Sequence, residues 1–277
     1  MQDQYVDVNG CKLRYRDTGG PGVPILLTHG ITGSLELWDH QLQSLGTAHR
    51  LIAWDAPNHG LSDLTGRTED FDSYAAWALR FADAIGLQAF VAGGNSMGAA
   101  MSLRLAGLAP DRIKGLILAN AATLGREVTP VFKLFSLPGL GEVMNKPSEK
   151  VVTLQIGAIV KDPACVSPEL RQVLLRNAFK PGATAAFLAT LRSTLGLRGQ
   201  KAAVWEKSAR LLDAVRCPTL IIHGRKDAVI PAKHSEDAAK RVSHARLLLL
   251  DDCGHTPQIE KPAVFNAALH EFLAPLT

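Results

Sequence analysis

The segment Gly94-Asn95-Ser96-Met97-Gly98 follows the apolar run Ala89-Phe90-Val91-Ala92 and leads straight into Ala99-Ala100-Met101, the start of a stretch with helical spacing. A chain that passes from strand to helix without an intervening loop must turn sharply, and the strained turning residue needs neighbours without bulky side chains. Gly94 and Gly98 stand two positions before and after Ser96 and supply that clearance. The Ser96 hydroxyl then stands clear of the sheet, and the first N–H groups of the helix point to the same space, where an oxyanion would need donors. These residues in this order suit a nucleophile. An ordinary glycine-rich turn is the alternative, and the remainder of the chain has to separate the two.

The flanking sequence supplies a sheet for that turn. Tyr5–Val8 and Lys12–Arg16 surround Asn9-Gly10 and read as an antiparallel hairpin at a sheet edge. Val23–Thr28 is nearly continuous in apolar residues, as a strand buried on both faces would be. Leu51–Trp54, Ala89–Ala92 and Ile113–Ala119 are further strands, while Phe71–Ile85 and Met97–Gly107 carry apolar residues at helical spacing. Such alternation predicts a parallel sheet with right-handed crossovers and helices on both faces.

From Thr123 to Arg210 the rhythm breaks into helical pieces interrupted by Pro130, Pro138, Pro147, Pro163, Pro168 and Pro181, with no strand comparable to the earlier ones. Alternation then resumes with Thr219–His223, Ala232–Val242, Ala245–Leu250 and Ala263–Leu273. The chain is therefore expected to form an α/β core from residues 1–122 and 211–277, with an all-helical insertion over 123–210 packed on it. That insertion carries 13 Lys and Arg against 6 Asp and Glu. A basic helical surface is the plain reading, and attraction of anionic substrates is the sharper one.

Composition narrows the function classes. With 277 residues, 47% of them apolar, and a formal charge of +4, the chain has material for a large core and no run of like charges that would mark a nucleic-acid partner. No span of eighteen apolar residues occurs and Met1–Tyr5 lacks a leader pattern, so a cytoplasmic protein without stable membrane association is expected. The four cysteines, Cys11, Cys165, Cys217 and Cys253, form no C-x-x-C pair, and the nine histidines form no metal-ligand spacing. Neither a metal nor a cofactor is expected.

A serine nucleophile needs a base in reach and a carboxylate to orient that base. Strand-end loops later in the chain provide both: His255 follows Ala245–Leu250 within Asp251-Asp252-Cys253-Gly254-His255, and Asp227 follows Thr219–His223 within Gly224-Arg225-Lys226-Asp227. Asp251 and Asp252 are rival carboxylates close to His255. At the end of Ile113–Ala119 the chain offers Asn120 and no carboxylate.

Over essentially its whole length the sequence resembles an α/β-hydrolase, whose triad runs serine, acid, histidine in chain order, here Ser96, Asp227, His255. Thr28-His29-Gly30-Ile31-Thr32-Gly33-Ser34, with Trp38 beyond, resembles the family's oxyanion loop, and Asp55–Asp63 resembles its turn after the fourth strand. The resemblance implies a mostly parallel eight-stranded sheet and a helical cap, with the N–H groups of Ile31 and Met97 holding the oxyanion. Trp38, Val229 and Thr256 are candidate substrate contacts. His29, His59 and His223, each beside glycine at a strand end, read as structural histidines.

A serine at the elbow, where attack at saturated carbon would call for a carboxylate, points to acyl chemistry on a small ester or ketone. The expected reaction is hydrolysis of small to medium carboxylic esters. One rival is carbon–carbon hydrolysis of ring-cleavage products, which relatives with a Gly-Asn-Ser-Met-Gly-like elbow perform, with Arg176 or Arg192 as candidate clamps for an anion. Against it, those relatives resemble Ser-Gly-Pro-Gly where this chain has Ile31-Thr32-Gly33-Ser34, and commonly carry Trp where it has Thr256. A non-catalytic receptor for a small ligand on the same fold is the alternative from another class.

Overall fold

The structure, a computed structural model, describes residues 1–276. Its strands are β1 (Gln4–Val8), β2 (Cys11–Asp17), β3 (Ile25–Thr28), β4 (Leu51–Trp54), β5 (Phe90–Asn95), β6 (Ile113–Ala119), β7 (Leu195–Gly196), β8 (Gly199–Gln200), β9 (Thr219–Gly224) and β10 (Ala245–Leu250). Eight of them form one sheet in the order β1-β2-β4-β3-β5-β6-β9-β10. The β1–β2 hairpin and the β2–β4 pair are antiparallel, and every other neighbour is parallel. The hairpin turn holds Asn9 and Gly10 at φ of 54° and 76°, the left-handed pair that matches strand twist in a two-residue loop.

Each parallel strand divides its side chains between two cores, as a period of two requires. Leu26, Ile52, Leu116, Leu118 and Ile221 face the cluster beneath α2 (Phe71–Ala84) and α3 (Met97–Leu108). Ile25, Leu27, Leu51, Ile117, Leu220 and Ile222 face the cluster beneath α1 (Asp39–Leu45) and the C-terminal helix Pro262–Leu273. Fully burying each such side chain contributes about 1.5–3 kcal/mol, so the two clusters hold the sheet from both sides. Entry into α2 is fixed by Asp70, whose carboxylate accepts from the N–H groups of Asp72 and Ser73 while Ser73 Oγ accepts from Asp70 N.

Between β6 and β9 lie α4 (Pro130–Phe135), α5 (Leu140–Met144), α6 (Glu149–Ile159), α7 (Pro168–Phe179), α8 (Ala183–Thr194) and α9 (Ala202–Ala214). The insertion is not all helical. Leu195–Gly196 pairs antiparallel with Gly199–Gln200, a ribbon too short to leave a periodic signal. Helix α9 runs through the expected boundary at 210/211, since Val204, Leu211 and Leu212 all pack on the α3 side of the core. Beyond β9 follow α10 (Lys233–Arg241), α11 (Pro257–Glu260) and α12 (Pro262–Leu273).

Candidate active site

Ser96 occupies the turn between β5 and α3 with φ 54° and ψ −111°, a backbone conformation a non-glycine residue adopts only when its surroundings enforce it. The surroundings leave no latitude. A Cβ at Gly94 would overlap the carbonyl carbon of Gly98, and one at Gly98 would overlap the carbonyl oxygen of Thr28 in β3. Both glycines are thus required by backbone-to-backbone contact. Met97 begins α3, so its N–H has no intrahelical acceptor, and the residue lines the same cavity as Ser96.

His255 and Asp227 come together from the ends of β10 and β9. His255 Nδ1 donates to Asp227 Oδ2 at 2.8 Å, and Asp227 Oδ1 accepts from the N–H groups of Val229 at 2.7 Å and Ile230 at 3.1 Å. The Asp227 side chain is fully buried, and burial alone would raise its pKa; His255 and His223 overcome that and hold the carboxyl well below the usual range. Such a carboxylate keeps the Nδ1–H tautomer of His255 and leaves Nε2 for the cavity, which Ser96 and His255 both line. No hydrogen bond joins Ser96 to His255 among the described residues, a separation common before substrate binds. The rival carboxylates point elsewhere: Asp251 pairs with Arg225 at 3.0 Å and Asp252 with Lys161, both at the surface.

The loop after β3 reaches the cavity through Gly30, Ile31, Thr32 and Gly33, and a Gly33 N–H to Gly30 O bond of 3.0 Å folds it over. His29 holds this loop to the next: its Nδ1 donates to Gly30 O at 2.7 Å and its Nε2 accepts from Ala56 N at 3.1 Å. Burial lowers the pKa of His29 and brings that of His59 to about 3, so both remain neutral structural rings.

The cavity has a volume of about 400 Å³ and is roofed by the insertion. Phe132, Phe135, Phe187, Val152, Ile156 and Leu191 form much of its wall, and Val229 and Thr256 border it beside His255. Among its lining residues there is no Lys, Arg, Asp or Glu. Trp38 is a correction. It is 0% exposed, packs on Phe265 with ring centroids 6.1 Å apart, and belongs to the α1–α12 core, because the short helical turn Leu35–Trp38 directs it away from the cavity. The two candidate clamps are also engaged elsewhere: Arg176 Nη1 pairs with Glu36 at 3.0 Å and Arg192 with Glu142 at 2.8 Å.

Sequence reasoning missed the residues that hold the His255 loop. Asn95 Nδ2 donates to the carbonyl of His255 at 2.9 Å, and Asn120 Nδ2 donates to Asp227 Oδ2 at 2.7 Å and to Gly254 O at 3.1 Å. Glu260 accepts from the N–H groups of Gly254, Thr256 and Lys161 at 2.9, 3.1 and 2.8 Å. From the insertion, the carbonyl of Ile159 accepts from His255 N at 3.0 Å and Thr256 Oγ1 at 3.1 Å. Only the two asparagines left a signal, as polar residues ending otherwise apolar strands. Among the described residues no group of three or more His, Cys, Asp or Glu is placed to hold a metal ion, and no helix is long and apolar enough to cross a membrane.

Comparison with known proteins bears on the fold and the family. Over 275 residues the chain is 30% identical to the dihydrolipoyllysine-residue acetyltransferase component of the acetoin cleaving system of Pseudomonas putida, covering 98% of this chain and 69% of that protein. It is 27% identical to the 2-hydroxymuconate semialdehyde hydrolase of Pseudomonas sp. strain CF600, covering 96% of this chain and 91% of that one. A solved thermophilic esterase from Thermogutta terrifontis superposes with a TM-score of 0.80 at 25% identity, covering 100% and 99% of the two chains. Residues 23–262 match the model of the alpha/beta hydrolase fold, and the chain belongs to the α/β-hydrolase family.

Proposed function

We propose that the protein is a serine esterase acting on neutral carboxylic esters of small to medium size. Ser96 attacks the carbonyl carbon while His255 accepts its proton, and Asp227 holds the imidazolium that forms. The N–H groups of Ile31 and Met97 receive the oxyanion. His255 returns the proton to the departing alcohol, then draws one from water, which releases the acid and restores Ser96. The acyl or alcohol chain lies against the aromatic and aliphatic roof, with Val229 and Thr256 at its border beside the base.

One observation carries the choice of substrate: a cavity of about 400 Å³ whose walls hold no Lys, Arg, Asp or Glu. Desolvating a carboxylate in such a space without a cation costs several kcal/mol, whereas a neutral ester gains from burial. The relative from Pseudomonas sp. strain CF600 is named for a muconate-derived substrate, which carries a carboxylate. Its reaction is the second reading here, supported by the Gly-Asn-Ser-Met-Gly elbow and weakened by the engagement of Arg176 and Arg192 in other ion pairs.

The test is hydrolysis of 4-nitrophenyl esters from acetate to laurate by wild type and Ser96→Ala, beside a ring-cleavage dienoate. Turnover of the esters that disappears in the mutant supports the esterase. Preference for the dienoate by tenfold or more in kcat/KM would transfer the chain to the second reading, and tight ligand binding without turnover of either would make it a receptor.

A further inference from the structure

His223, near the end of β9, is completely buried, and its two ring nitrogens meet different kinds of partner. Nε2 lies 3.1 Å from Asp227 Oδ2 and 3.1 Å from the carbonyl oxygen of Ile230. Neither an ionised carboxylate nor a carbonyl can donate, so the proton belongs on Nε2. Nδ1 lies 2.7 Å from the hydroxyl of Ser235 on α10, itself fully buried and able to donate. The partners therefore select the neutral Nε2–H tautomer. Asp227 Oδ2 is then hydrogen-bonded by His255 and Asn120 and lies 3.1 Å from His223 Nε2, whose N–H it shares with Ile230 O.

We propose that His223, with its tautomer set by Ser235, is a positioning residue that governs how strongly Asp227 draws on His255. This rests on the reading of Ser96, Asp227 and His255 as a catalytic triad. A neutral N–H on Oδ2 takes part of the carboxylate's charge without adding a charge of its own. Without it more of that charge is directed at His255, whose protonated form is stabilised and persists to higher pH. The bond to Ile230 O also ties the acid-bearing loop to the imidazole, so one ring fixes both the charge and the placement of the acid. Asn120 and Ser235, which reach the cluster from the end of β6 and from α10, are not ionisable; the ionisable groups that bond to it among the described residues are Asp227 and His255.

The experiment measures the acidic limb of the kcat/KM profile for a 4-nitrophenyl ester, and the NMR titration of His255, in wild type, His223→Phe, His223→Gln and Ser235→Ala. We expect His223→Phe to raise both midpoints by about half a pH unit or more with little change in KM. His223→Gln retains a side-chain N–H for Asp227 and should remain near wild type, while Ser235→Ala should shift part of the way in the same direction. A ring that only fills space would lower the yield or melting temperature of the variants and leave both midpoints unmoved. Unmoved midpoints in folded His223→Phe overturn the proposal, as they do in Ser235→Ala if the phenylalanine variant does not fold. Retention of ester turnover by Ser96→Ala would instead overturn the triad, and the NMR midpoint would still report on His223 in that case.

Discussion

The elbow and the roof above it are held by different physics. At the elbow, backbone meets backbone: Gly94 against Gly98, Gly98 against Thr28, and Ser96 at φ 54° between a strand and a helix whose facing side chains are nearly inaccessible. In the insertion, by contrast, burial is divided between two small clusters, one around Phe187, Leu188, Leu191 and Leu195 and one around Val152, Ile156 and Val160, while Val143, Leu154 and Leu197 remain 64–75% exposed. The part of the site that would do chemistry is over-determined, and the part that meets the rest of the substrate is built from replaceable aliphatic contacts. Across folds, precision in one place and tolerance in the other are what allow one scaffold to carry different sites.

The sharpest way to break that contrast is Ser96→Ala, expected to lower kcat by about 10⁴-fold or more with the melting temperature unchanged or raised, since a nucleophile contributes to turnover and a strained turn loses nothing by becoming smaller. Gly98→Ala should cost about 4 kcal/mol or more in urea unfolding, because the obstacle is the Thr28 backbone and cannot rotate away. In the insertion, Leu191→Ala should cost about 2 kcal/mol by the same measurement and alter the acyl-length preference, a smaller loss because its cluster can relax. A stability loss there equal to that of Gly98→Ala would end the distinction.

Glu36 tests the joint between the regions. Burial alone would raise its pKa, but Arg176 of the insertion, Ser34 and Arg14 bring it down to about 2 from an ordinary value of 4.5. A carboxyl so depressed adds stability that is complete above about pH 4.5 and fades as pH falls toward 2. The melting-temperature gap between wild type and Glu36→Gln should therefore be full at neutral pH and narrow across that window. The smallest effect is expected for Leu154→Ala, within about 0.5 kcal/mol in stability despite its place at the cavity wall.

The same contrast decided what could be read from the sequence. Strands buried on both faces leave apolar runs such as Leu51–Trp54 and the Leu116–Ala119 part of Ile113–Ala119, and both strands stand in the structure with the expected bounds. The strand-end positions of Ser96, Asp227 and His255 were readable because chain order and geometry coincide there. Trp38 was not: an aromatic residue after a glycine loop suits a cleft as well as a core, and only the direction of the Leu35–Trp38 turn separates them. In the insertion, prolines that read as interruptions are partly beginnings, since Pro130 and Pro168 occupy the first turns of α4 and α7, where a missing N–H costs nothing. The asparagines around His255 bind loop backbone from far along the chain, and Glu260 binds it from four to six residues on through a side chain, neither of which a local period encodes.

The Ile159 carbonyl works as an interlock. It sits at the end of α6 in the roof, yet it takes the backbone N–H of the residue that carries the base. That bond and the one from Thr256 Oγ1 join α6 to the His255 loop, which Asn95, Asn120 and Glu260 hold from the side of the core. A substitution that displaces α6 should therefore register at His255 as well as at the cavity wall.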